Sequence, residues 1–92
     1  MKKAARIIIQ GTVQGIFYRQ FVKESADKLG VTGFVRNLEN GDVEIIAEGV
    51  GDGIDELSKI CNKGPEHAMI KNVIVEERRW SGEFKDFKVL RI

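Results

Sequence analysis

The sequence predicts an α+β sandwich, two helices on one face of an antiparallel sheet, in the order βαββαβ with a short strand appended. Three observations carry that reading. Four stretches are dense in β-branched residues or alternate apolar and polar residues with the period of a strand. Two others repeat apolar residues at helical spacing. The two patterns follow one another along a chain of 92 residues, one domain's worth, with no linker, repeat or low-complexity tract between them.

Ala4 to Gln10 opens the series, and its run Ile7, Ile8, Ile9 has the β-branched density of a central strand. Gly11 and Gly15 then frame a short loop. From Tyr18 to Leu29 the period changes. Tyr18, Phe21, Val22, Ser25, Ala26 and Leu29 share one helical face, and Lys23, Glu24, Asp27 and Lys28 share the other. Gly30 stands where a C-cap glycine belongs. Val31 to Asn37 reads as the second strand, followed by Asn40-Gly41, a dipeptide suited to a tight hairpin turn with both central residues at positive φ. In the third strand Val43, Ile45 and Ala47 alternate with Glu44 and Glu48, with Ile46 an exception on the open side. Gly49 to Gly53 reads as a glycine-rich connection. Ile54, Leu57, Ile60 and Cys61 then mark a second helix that ends near Gly64-Pro65. Ile70 to Glu77 alternates again, with Val73 and Val75 on one face, and a last short strand runs from Phe87 to Arg91. Two split βαβ units of this kind make the ferredoxin-like sandwich. That fold hosts unrelated functions, so the function has to be sought in local motifs.

Composition narrows the field. Apolar residues at 42% and charged residues at 32% suit a soluble globular domain, and a formal charge of +1 gives no support to a general polyanion binder. Cys61, the single cysteine, cannot form an internal disulfide. The apolar run after Met1-Lys2-Lys3 is too short for a signal peptide, and no stretch approaches the roughly 20 residues of a membrane span. A cytoplasmic monomer, with no membrane or nucleic-acid partner, is the expectation.

Two constellations carry chemistry. In Gly11-Thr12-Val13-Gln14-Gly15-Ile16-Phe17-Tyr18-Arg19 a strand ends, a loop with two glycines turns, and a helix starts beside an arginine. Backbone N–H groups and the positive end of a helix dipole converge at such a point, and a guanidinium adds a charged fork suited to two phosphate oxygens. On these residues alone an ordinary strand-to-helix turn explains the segment as well. The second constellation is Gly33-Phe34-Val35-Arg36-Asn37, followed by Gly41, Val43 and Gly49. Asn37 ends a strand, and its carboxamide can hold and aim a water. It can equally cap the turn.

Taken together, the two segments resemble the two signatures of the acylphosphatase family: Gly11-x-Val13-Gln14-Gly15-Ile16-x-Tyr18-Arg19, and Gly33-Phe34-Val35-Arg36-Asn37-x-x-x-Gly41-x-Val43. Gly64-Pro65, Ala68, Ile70 and Val73 are similar to the segment after that family's second helix. The resemblance implies hydrolysis of the carboxyl–phosphate bond of acyl phosphates to a carboxylate and inorganic phosphate. It implies a phosphate-binding loop of Gln14, Gly15, Ile16, Phe17, Tyr18 and Arg19, with Arg19 and Asn37 catalytic, and neither metal nor cofactor. A non-catalytic anion-binding or regulatory module on the same fold is the alternative. Leu38 departs from the family, many of whose members carry a hydroxyl residue there.

The implied chemistry fits so sparse a set of groups. The leaving carboxylate has a conjugate acid of pKa about 4, so it departs without a general acid. Phosphoryl transfer is loose and needs mainly positioning and charge stabilisation, which amides and a guanidinium supply. Other conspicuous residues read as structural. His67 follows Pro65 in a connection, Cys61 lies on the apolar face of a helix, and Trp80 packs at a strand end beside Arg78 and Arg79.

Overall fold

Residues 1–13, 16–65 and 68–90 are described by the computed structural model, and their elements follow the predicted order. They are β1 (Lys2–Thr12), α1 (Ile16–Leu29), β2 (Thr32–Asn37), β3 (Val43–Val50), α2 (Gly51–Lys63), β4 (Met69–Arg78) and β5 (Phe87–Val89). Gln14, Gly15, His67 and the Arg91 end of the last predicted strand lie outside the described residues.

The sheet runs β4-β1-β3-β2-β5. β1 pairs antiparallel with β3 and β4, and β2 pairs antiparallel with β3. Each helix therefore crosses over one intervening strand, as split βαβ units require. The appended strand departs from the antiparallel expectation, because β5 pairs parallel with β2 and makes the sheet mixed.

Between sheet and helices lies the core. Ala5, Ile7 and Ile9 of β1, Val35 of β2 and Val43, Ile45 and Ala47 of β3 meet Tyr18, Val22 and Ala26 of α1 and Ile54, Leu57 and Cys61 of α2. Phe87 of β5 is buried in the same cluster. Strand alternation and helical spacing thus point the residues read as apolar faces into one interior. β4 is an edge strand, so Val75 on its core side stays about half exposed, at 49%.

Three local expectations change. Asn40-Gly41 belongs to a three-residue hairpin loop rather than a two-residue turn. The Leu38 N–H donates to the Asp42 carbonyl and the Gly41 N–H to the Leu38 carbonyl, with Gly41 at φ 97°. The supposed glycine connection is mostly helix. β3 passes straight into α2 at Gly51, whose N–H donates to the Met1 carbonyl, and Asp52 places negative charge at the helix start. Glu44 and Glu48, read as the solvent side of β3, are each only 4% exposed. Side chains and a strap from residues 79–86 cover that face, a consequence of contacts far apart in sequence.

Candidate active site

Strand direction collects the site at one end of the sheet. β1 and β2 both run antiparallel to β3, so they are parallel to each other and end together. Ile9 and Asn37 share Val43 as register partner. The end of β1, the start of α1, the end of β2 and the end of β5 therefore lie side by side.

At the exit of β1 the pairing with β4 shifts between Gln10 and Gly11, where β4 passes over Lys71 as the extra residue. Gly11 has φ 141°, and a Cβ there would stand 2.0 Å from the Met69 carbonyl oxygen. No other residue fits so close a backbone approach.

Helix α1 carries Arg19 in its first turn, which contains no acidic residue. A cation at the positive end of a helix is electrostatically opposed unless an anion joins it. One arm of the fork is held: Arg19 Nη1 donates to the Leu90 carbonyl at 3.2 Å. Leu90 in turn donates its N–H to the Val35 carbonyl at 2.9 Å, two residues before Asn37. Leu90 is thus the link that brings α1's arginine to the end of β2.

Asn37 ends β2 and lines a cleft of about 470 Å³ with Arg36, Leu38 and Glu39. Its Oδ1 is buried and has no hydrogen-bond partner among the described residues. Buried carboxamide oxygens are nearly always bonded, so this one keeps its acceptor capacity for a donor outside the described residues. The hairpin that carries it is braced. Asn40 Oδ1 accepts from the Asp42 N–H at 3.0 Å, Gln10 Nε2 donates to Asp42 Oδ2 at 3.3 Å, and Asn72 Nδ2 donates to Gln10 Oε1 at 3.3 Å.

The other loop residues divide by role. Ile16 begins α1. Phe17 is 88% exposed. Tyr18 turns inward and donates its hydroxyl to the Cys61 carbonyl at 3.1 Å, tying the start of α1 to the end of α2. Burial pushes the Tyr18 phenol well above its ordinary value, so its side chain is a neutral brace and any contribution to the loop comes from its backbone. Burial likewise pushes the Cys61 thiol up to about 12, which leaves it unreactive. Leu38 brings no hydroxyl to the cleft. Among the described residues no cluster of histidine, cysteine and carboxylate side chains could hold a metal ion, and no helix is long and apolar enough to cross a membrane.

Sequence reasoning missed the Leu90 carbonyl. Every residue has a carbonyl, so only the parallel docking of β5 distinguishes this one.

Known proteins identify the family and the fold. A sequence profile of the acylphosphatase family matches residues 5–89. An acylphosphatase of Rubrobacter xylanophilus is 45% identical over 87 residues, which is 95% of this chain and 79% of that one. An acylphosphatase of Methylococcus capsulatus is 42% identical, with 97% of both chains covered. The crystal structure of acylphosphatase from Bacillus subtilis superposes with a TM-score of 0.91 at 32% identity, over 99% of this chain and 100% of that chain. By profile, sequence and fold together, the chain belongs to the acylphosphatase family and is a hydrolase of acyl phosphates.

Proposed function

We propose that the enzyme binds the phosphoryl group between the backbone N–H groups of the Gln14–Arg19 segment and the Arg19 guanidinium, while Asn37 holds the attacking water. Water oxygen attacks phosphorus as the bond from phosphorus to the acyl oxygen breaks. The bonding electron pair leaves with the carboxylate, and the water proton passes to phosphate or solvent. Charge spread over the equatorial phosphoryl oxygens meets donors already oriented, which lowers the barrier without metal or general acid.

The observation that supports this reading is the buried Asn37 Oδ1, without a partner among the described residues, at the end of the sheet where α1 begins. A module that merely bound anions would explain a cation at a helix start but has no use for a buried acceptor beside it. The reading needs no group from a second chain, which suits a monomer. The strap of residues 79–86 covers part of the open sheet face, with Glu48 buried beneath it, which leaves less of that face for a nucleic-acid partner. A small-molecule acyl phosphate, handled in the cytoplasm, completes the reading.

Asn37→Ala tests it. The loop and Arg19 meet oxygens present in substrate and product alike, whereas Asn37 meets a water that matters only during attack. The variant is expected to lose at least about a hundredfold in kcat on benzoyl phosphate while its inhibition constant for inorganic phosphate stays at the wild-type value. If Asn37 only caps the hairpin, the thermal midpoint falls and kcat per folded molecule is unchanged, which would sink the catalytic reading.

A further inference from the structure

After β4 the chain crosses the open face of the sheet from one edge to the other before pairing as β5. Residues 79–86 form this strap, and its fastening is specific. Glu48, in the middle of the sheet and 4% exposed, spends both carboxylate oxygens on it. Oε2 accepts from the Ser81 N–H at 2.9 Å and the Ser81 hydroxyl at 2.7 Å, and Oε1 accepts from the Gly82 N–H at 2.9 Å. Gly82, at φ 71°, turns the two successive N–H groups toward one carboxylate. Farther on, Phe84 packs edge-on against Phe34 with centroids 6.0 Å apart, and the Asp86 carbonyl accepts from the Gly33 N–H at 2.9 Å.

The strap leads directly into the strand that orients the arginine. β5 is a three-residue edge strand held by its pairing with β2 and by buried Phe87, so the strap that leads into it is one of few restraints on where it lies. Beyond it stands Leu90, whose carbonyl accepts from Arg19. We infer that Glu48 is a positioning residue for the active site: by fastening the strap it fixes β5, hence the Leu90 carbonyl, and hence the reach of the Arg19 guanidinium. The inference rests on the reading of Arg19 as the phosphate ligand. Glu48 itself never touches substrate, since it lies on the sheet face opposite the helices.

Glu48→Gln keeps the side chain's size but turns an amide donor toward the strap's own donors. At a temperature well below its thermal midpoint, this variant should show faster amide exchange at Leu90. Its inhibition constant for inorganic phosphate should weaken by roughly three- to thirtyfold, the usual scale of coupling between separated sites. A lowered thermal midpoint with Leu90 exchange and phosphate inhibition unchanged would mean that Glu48 is only structural, and would overturn the inference. Ser81→Ala, which removes one donor and leaves the carboxylate in place, should move both quantities in the same direction by about twofold. Should Glu48→Gln fail to fold, wild-type exchange and inhibition in Ser81→Ala overturn the proposal equally. Arg19→Ala serves as the control. If that folded variant binds phosphate normally, the reading of Arg19 has failed, and Leu90 exchange in Glu48→Gln still decides whether the latch sets β5.

Discussion

The two faces of this sheet solve the same problem by different physics. On the helix side, Ile7, Ile45, Leu57 and Val22 are fully buried, and apolar packing alone excludes water. On the open side, Glu44 stands between Arg6 Nε and Arg36 Nε, both at 2.6 Å, and Arg6 reaches on to Glu76 at 2.9 Å. Glu48 holds the strap beside it. Packing on the helix side is contiguous and tolerates little change in volume. The open side depends on a few directional contacts, each of which can be removed or titrated separately. The proposed chemistry sits at the rim of the packed side, where α1 carries Arg19 and β2 ends at Asn37. The polar side holds in place the segment that orients one of them.

The largest break should come at that rim. Arg19→Ala is expected to lower kcat/KM by at least about a thousandfold with the fold intact, because the charge it meets grows during transfer. Arg19→Lys should fail almost as badly, since a point charge cannot replace the fork. Steady-state rates on benzoyl phosphate, with a circular dichroism melt, check both.

Next comes the packed face. Leu57→Ala opens a cavity at a fully buried position and should cost about 3 kcal/mol in chemical denaturation, within the usual range for such truncations. On the polar face Glu44→Gln should cost less, about 1–2 kcal/mol, because Arg6 and Arg36 are each more than a third exposed and can turn to water. Equal losses at the two positions would erase the proposed contrast between the faces.

Acid should attack the polar face selectively. Burial by itself would push the Glu44 and Glu48 carboxyls up. Hydrogen bonds from Arg6 and Arg36 to Glu44, and from Ser81 and Gly82 to Glu48, outweigh it and hold both below the ordinary 4.5. With folded values depressed, their stabilisation is fully present above the unfolded value and is lost as pH falls through the folded ones. The thermal midpoint should therefore drop as pH goes below 4.5, and should drop less steeply in Glu44→Gln. The smallest effect expected is none: EDTA and His67→Ala should leave turnover unchanged, since the proposed mechanism asks nothing of a metal or an imidazole. Loss on chelation that magnesium restores would overturn the mechanism.

Most of the packed face was legible in the sequence. The helical spacing from Tyr18 to Leu29 and the alternation of Val43, Ile45 and Ala47 each predict their own buried side. Gly30 was legible too, because a C-cap is local. Its N–H bonds the Asp27 carbonyl and that of Val31 bonds the Ala26 carbonyl, the pair that closes a helix in this way. The glycine-rich stretch before Ile54 misled because composition favours a loop, whereas the tertiary structure lets α2 start at Gly51 by supplying the Met1 carbonyl as partner. The tight turn misled for a related reason: Asn40-Gly41 fits two hairpin lengths, and the pairing of Leu38 with Asp42 chooses between them.

By itself, then, the sequence determined the order of elements, the apolar faces and the residue types able to hold a phosphate and a water. These are properties of period, local backbone preference and side-chain chemistry, all readable within a few residues. Only the tertiary structure decided that β5 docks parallel to β2, that Leu90 offers its carbonyl to Arg19, and that two glutamates on the supposed solvent face are buried. Those outcomes depend on pairings between residues far apart in the chain, such as Gly82 with Glu48, 34 positions apart, and Leu90 with Arg19, 71 apart. No local pattern encodes such a pairing, because its partners meet only when the whole sheet has closed.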